Sequence, residues 1–182
     1  MMFGIAGVSM TLAPLYYSSK YAPVGPAMLI ESIVILMIGW SNVIGTQYLL
    51  PVNRVKDFTT SVTVGAVVNI IMNFPLIHLW GLNGAMWSTV LSEISVTAYQ
   101  LFVVRKSLDI RKMFAGSWKY LLSGIVMFVP VFWLNTHMKA SWLWMLVEVA
   151  AGIVIYVGMV LLLRAPVLDQ LKELLAARRK KN

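Results

Sequence analysis

The chain is 182 residues long, 59% hydrophobic and only 12% charged, with a mean hydropathy of +0.79 and a formal net charge of +8. Soluble domains carry about 25% charged residues, so this composition excludes an ordinary soluble fold and indicates an integral membrane protein. The absence of cysteine removes disulfides and thiolate chemistry, and His78 and His137 are too far apart in sequence to argue for a metal cluster.

Six apolar segments follow one another, at about Met2–Tyr17, Val24–Leu50, Phe58–Leu79, Ala85–Val104, Tyr120–Leu134 and Trp142–Leu163. Their lengths suit membrane helices rather than the shorter, alternating strands of a barrel. The expected fold is therefore all-α: about six transmembrane helices over residues 1–164, followed by a polar tail at 165–182. Segment one starts at the first residue, with no charged region before Lys20 and no small-residue cleavage pattern, so it does not read as a secretory signal. Its simplest reading is a chain that begins within a helix of a larger protein. In segment two, Glu31, Ile35, Ile38, Asn42, Gly45 and Thr46 share one helical stripe, a polar face turned toward an interior. Glu31 is equally well explained as a residue at headgroup level. Pro14, Pro75 and Pro130 lie inside apolar segments, where each removes a backbone hydrogen bond and kinks its helix.

Segments three and four read as a hairpin about the turn-rich stretch Trp80–Gly84. Folding about Gly81 brings Asn73 level with Thr89, Asn69 with Glu93 and Gly65 with Thr97. Within each arm these residues recur every four positions and share a face, and Thr89, Glu93, Thr97 and Gln100 form one stripe. Asn69 and Glu93 fall near mid-membrane, where polar groups are expensive and face a bundle interior or a wet cavity. Helix–helix packing explains Asn69 and Asn73 equally well, but a carboxylate is a costly glue.

Thirteen of the fifteen Lys and Arg residues lie in alternate connections and the tail: Arg54 and Lys56, then the run Arg105 to Lys119, then Arg164 onward. The other connections hold only Lys20 and Lys139. Positive charge marks the cytoplasmic side, so the basic loops and the C-terminus are expected there. Tyr16, Tyr17, Tyr21, Trp80, Trp87, Trp133, Trp142 and Trp144 gather at the opposite ends, as interfacial anchors do. The tail carries Val167, Leu168, Leu171, Leu174 and Leu175 on one face before an RRKK run, the pattern of a basic amphipathic helix on anionic lipid. Topology accounts for the +8 charge, so no nucleic-acid partner is expected. No phosphate loop, HExxH or GxSxG occurs, and Glu31, Glu93 and Glu148 are single and scattered. An enzyme is not expected, nor a metal or a cofactor.

The stretches SNVIGTQYLLPVNRVKDF (Ser41–Phe58) and GAVVNIIMNFPLIHLWGLNGAMWSTVLSE (Gly65–Glu93) closely resemble the C-terminal half of Wzx-type polysaccharide repeat-unit flippases. These belong to a superfamily that also holds multidrug antiporters and oligosaccharidyl-lipid exporters. The features that carry the resemblance are a helix ending in Gly45–Pro51, a short basic loop with Arg54 and Lys56, an Asn-rich helix with Asn69 and Asn73, the Gly81–Ala85 turn, and Glu93. The resemblance covers roughly residues 1–135. It implies the C-terminal portion of a two-lobed bundle in the bacterial cytoplasmic membrane, flipping undecaprenyl-pyrophosphate-linked oligosaccharide for capsule, exopolysaccharide or O-antigen synthesis. The partners it implies are that lipid-linked oligosaccharide, membrane lipids, the missing N-terminal lobe from the same gene or an adjacent reading frame, and the polysaccharide polymerase machinery.

The candidate sugar-path residues are Asn42, Asn69, Asn73, Thr89, Glu93, Thr97 and Gln100, because amides and hydroxyls suit sugars. Arg54 and Lys56 are the candidates for pyrophosphate at the cytoplasmic mouth, although positive-inside topology explains both without a ligand. The rival readings are a multidrug or cation antiporter, which would want clustered acids, and an inactive remnant.

Overall fold

A computed structural model describes residues 1–138 and 140–167. Lys139 and the tail from 168 onward, including most of the amphipathic stretch read above, lie outside the described residues. The elements in order are α1 (Met2–Tyr16), a 3-10 turn at Ser19–Tyr21, α2 (Val24–Ile44), a π-helical turn at Gly45–Leu49, α3 (Val55–Val104), the short α4 (Ile110–Met113), α5 (Ser117–His137) and α6 (Trp142–Leu162). There is no strand among the described residues.

Four stretches are long and apolar enough to cross a membrane: Val24–Leu49, Val55–Val104, Ile110–His137 and Trp142–Leu162. With 15 residues, α1 spans only about 22 Å at 1.5 Å per residue, short of the ~30 Å hydrocarbon core. Pro14, Pro75 and Pro130 all lie within helices, as their positions in the apolar segments required.

The 50 residues of α3 are not one rod. Gly81 takes φ 53° and ψ −126°, a conformation open to glycine, and the helix reverses there. The arms then run antiparallel at very close range. A Cβ on Gly84 would lie 1.8 Å from the Leu76 carbonyl oxygen. Ser88 Oγ donates to the Asn69 carbonyl at 3.0 Å, Ser92 Oγ to the Gly65 carbonyl at 2.8 Å, and Gln100 Nε2 to Ser61 Oγ at 3.0 Å. Small residues facing a backbone carbonyl let two helices approach closely where lipid gives no hydrophobic drive to associate.

The register differs from the fold-back about Gly81. Ser88, not Glu93, stands opposite Asn69, and Ser92, not Thr97, stands opposite Gly65. The reason is steric. Serine fits against a bare carbonyl, and the larger Glu93 and Thr97 turn away from the first arm.

The helices are arranged around α1, which packs on α2, α5 and α6, while α3 packs on the far side of α2. Glycines set the spacing here too. A Cβ on Gly25 of α2 would meet the Met10 backbone of α1 at 3.0 Å, and one on Gly124 of α5 would run into the Phe3 ring. The basic end of the bundle is closed by Ile44, Leu49 and Val104, packed with Tyr48, Phe58, Leu101, Leu108 and Met113. The π turn is marked by the i→i+5 bond from Leu50 N–H to the Gly45 carbonyl, at 3.1 Å. Gly45 has no room for a side chain, because the Phe58 ring and Gln100 Nε2 stand 2.8–2.9 Å from where a Cβ would be. Beyond it, α4 is capped by Asp109, whose carboxylate accepts from Lys112 N–H. Phe114 meets Trp40 edge-on at 4.9 Å and fastens this loop to α2.

Candidate functional site

The second arm of α3 carries Thr89, Glu93, Thr97 and Gln100, and the structure divides their duties. Thr97 is buried and donates to the Met37 carbonyl of α2 at 3.2 Å. Glu93 is half-buried and lies within electrostatic range of Glu31, which also belongs to α2. Glu31 has one carboxylate oxygen buried with no hydrogen-bond partner among the described residues. Thr97 thus turns this stripe toward α2, and two acids that look isolated in sequence come within electrostatic range of each other across the α2–α3 contact. Thr89 is half-buried and bonds only its own helix, at the Ala85 carbonyl.

Gln100 is different. It is 0% exposed, wedged between Ser61 and Gly45, with its Oε1 lacking a partner among the described residues. This amide pins the two arms to the π turn and does not face open space.

On the first arm, Asn73 Nδ2 donates to Asn69 Oδ1 at 2.8 Å, so the two amides one turn apart act as a unit. Both are half-buried, and Asn73 borders a shallow recess with Ile70, Phe74, Pro75 and His78. Asn42 is exposed on α2, and its carbonyl accepts from Thr46 Oγ1 at 2.6 Å. Arg54 ion-pairs with Asp57 at 2.7 Å and reaches Ser107 Oγ at 3.5 Å, whereas Lys56 is exposed. The proposed path residues therefore do not form one cluster. Thr97 bonds α2, Glu93 lies within electrostatic range of Glu31 on that helix, Asn69 and Asn73 lie on the first arm, and Gln100 is structural.

The structure also builds a polar site that sequence reasoning passed over. Asn135 of α5 is 1% exposed and Glu148 of α6 is 3% exposed. Asn135 Nδ2 donates to Glu148 Oε2 at 2.7 Å and also to Thr11 Oγ1 of α1. One amide thus ties three helices together, with a carboxylate at its centre. A signal for part of this existed. Folding the chain about Ser141, between segments five and six, brings Asn135 level with Glu148, the same operation that located the α3 hairpin. Thr11 is 124 residues from Asn135, and no local pattern announces it. Beside this triad, α1, α2, α5 and α6 line a half-open cavity of about 610 Å³ with Glu148 in its wall.

No family model, curated protein or solved structure matches the chain.

Proposed function

We propose that the chain is a portion of a flippase for undecaprenyl-pyrophosphate-linked oligosaccharide in a bacterial cytoplasmic membrane. Two things support this reading. The first is the resemblance of Ser41–Phe58 and Gly65–Glu93 to Wzx-type flippases. The second, and the observation that carries it, is the set of half-buried hydrogen-bonding groups on α3 that neighbouring helices leave unsaturated. Asn69 and Asn73 spend only one hydrogen bond on each other, and Glu93 has no hydrogen-bond partner among the described residues. Groups of that kind in apolar helices suit a sugar head that exchanges its water for amides and carboxyls while its polyprenyl tail stays in lipid.

In this reading α1, α2, both arms of α3, α5 and α6 make six crossings, with Arg54 and the α3–α5 connection in the cytoplasm. Reporter fusions at Asp57 and Ser107 are then expected to read cytoplasmic, and fusions at Lys20 and Asn83 external. One reproducible reversal would refute the arrangement. A second, N-terminal lobe completes the transport path.

Deleting the gene in its host tests the function. The expected result is loss of surface polysaccharide, with lipid-linked repeat units accumulating on the cytoplasmic face. Unchanged surface polysaccharide and no accumulation would overturn the reading. A second reading, multidrug or cation antiport, draws on Glu31 and Glu93 standing on neighbouring helices within electrostatic range, because acids inside a membrane bundle mark ion and proton paths. Under antiport the deletion leaves polysaccharide intact and raises sensitivity to the exported cation.

A further inference from the structure

Glu148 has no part in the sugar path, yet it is the most deeply buried acid among the described residues, at 3% exposed. A buried carboxylate without a cation carries a desolvation cost of several kcal/mol that a neutral partner only partly offsets. Here the partner is the Asn135 amide on Oε2. The ion pairs among the described residues, Arg54–Asp57 and Asp109–Lys112, lie at the other end of the bundle. The amino terminus does not reach either. It borders the cavity, but Thr11, which shares the Asn135 amide with Glu148, is ten residues along α1, or about 15 Å.

The cavity in front of Glu148 has the volume of a site for a drug-sized molecule, at about 610 Å³. Beyond the acid, the polar side chains in its wall are Tyr120 and Tyr156, and the rest, Phe3 included, is apolar. Tyr156 is eight residues beyond Glu148 on α6, so the two stand about 12 Å apart along the axis. Asn135, which holds Glu148 Oε2 from behind, is not itself part of the wall. One carboxylate thus stands in a wall that is otherwise aromatic and aliphatic.

We propose that this cavity binds a lipophilic ammonium ion, its N–H donors on Glu148 and its hydrocarbon or aromatic body extended toward Tyr120 and Tyr156. The charge on the ligand supplies a counter-ion that Glu148 has from no ion pair among the described residues, and the apolar wall packs against the body. Anions are repelled by Glu148, and neutral molecules gain the apolar term alone. This site is separate from the α2–α3 stripe and holds whether or not the chain moves a sugar.

Equilibrium dialysis of the full chain in nanodiscs, against empty nanodiscs, tests it with two fluorescent probes. Naphthylmethylammonium carries the charge, and naphthylmethanol is its neutral counterpart. The ammonium is expected to be retained at one per chain and about tenfold more tightly than the alcohol, a difference of ~1.4 kcal/mol. Glu148→Gln keeps the volume and an acceptor for Asn135, and is expected to bring the ammonium down to the level of the alcohol. Gly4→Leu puts a side chain into the cavity from a position where a Cβ meets nothing within 4 Å, and is expected to weaken retention with Glu148 untouched. Equal retention of the two probes by the unsubstituted chain, or ammonium binding that survives Glu148→Gln, overturns the proposal. Should the Gln variant fail to fold, unchanged ammonium binding in Gly4→Leu overturns it instead.

Discussion

Gly84→Ala is expected to open the α3 hairpin and to cost about 3 kcal/mol, the upper end of what overpacking does in a tight interior. The added methyl would sit 1.8 Å from the Leu76 carbonyl oxygen and 2.3 Å from its carbon. Both atoms are backbone, so no rotamer relieves the clash and the arms must separate. Separation lengthens the Ser88–Asn69 and Ser92–Gly65 bonds, which lie one and two turns further along the hairpin. Those serines then face lipid unpaired, which adds to the penalty. Gly39→Ala and Gly158→Ala are the matched controls. Nothing lies within 4 Å of a Cβ at either, and alanine favours a helix over glycine by about 0.5–1 kcal/mol. The thermal unfolding midpoint in detergent should therefore fall sharply for Gly84→Ala and hold or rise for the controls. A Gly84 variant that melts with the controls would show that the arms do not pack as described.

Glu93 gives the second large effect, on transport rather than stability. An ionised carboxylate facing lipid at mid-membrane costs about 2.5–3.5 kcal/mol on insertion scales, which explains why this one turns toward α2 and Glu31. Glu93→Gln keeps the shape and the hydrogen-bonding capacity, while Glu93→Ala removes both. If the residue serves the sugar path, Glu93→Ala is expected to lower polysaccharide export per molecule by about tenfold, equivalent to ~1.4 kcal/mol in the barrier, with protein abundance unchanged. Glu93→Gln then keeps much of the export. If the residue carries a proton, Gln is as damaging as Ala. Immunoblot abundance measured beside surface polysaccharide separates these outcomes from simple packing, in which both quantities fall together. Equal export per molecule in all three proteins would remove Glu93 from the mechanism.

The helices were legible in the sequence because hydropathy is a local property. Val24, Trp142 and Val104 each begin or end both an apolar run and a helix. The hairpin was legible because Gly81 and Gly84 punctuate an otherwise unbroken run. The details that failed depend on partners far along the chain. Ser88 and Ser92 read as filler beside Glu93 and Thr97, yet they are what fits against the first arm's carbonyls. Gln100 reads as one more member of a polar stripe, but Gly45, 55 residues away, leaves exactly the space its amide fills. Glu148 looked isolated because Asn135 lies across a loop and Thr11 at the other end of the chain. Polar pairing across a membrane bundle is chosen by tertiary geometry, which no helical period encodes.

The π turn at Gly45–Leu49 carries a consequence for spacing along the chain. Ile44 and Leu49 share the same buried cluster although they are five positions apart. At 100° per residue, five α-helical steps would place them about 140° apart, on nearly opposite sides. The wider turn absorbs one surplus residue and restores the phase, so Leu49 takes the place that the fourth residue after Ile44 would hold in an uninterrupted helix. Deleting a single residue between Gly45 and Leu49 would remove that surplus and leave Leu49 four α-helical steps from Ile44, about 40° away and still in its seat, whereas inserting one more would swing it out. At this point of the chain, one residue fewer is absorbed by the helix and one residue more is not.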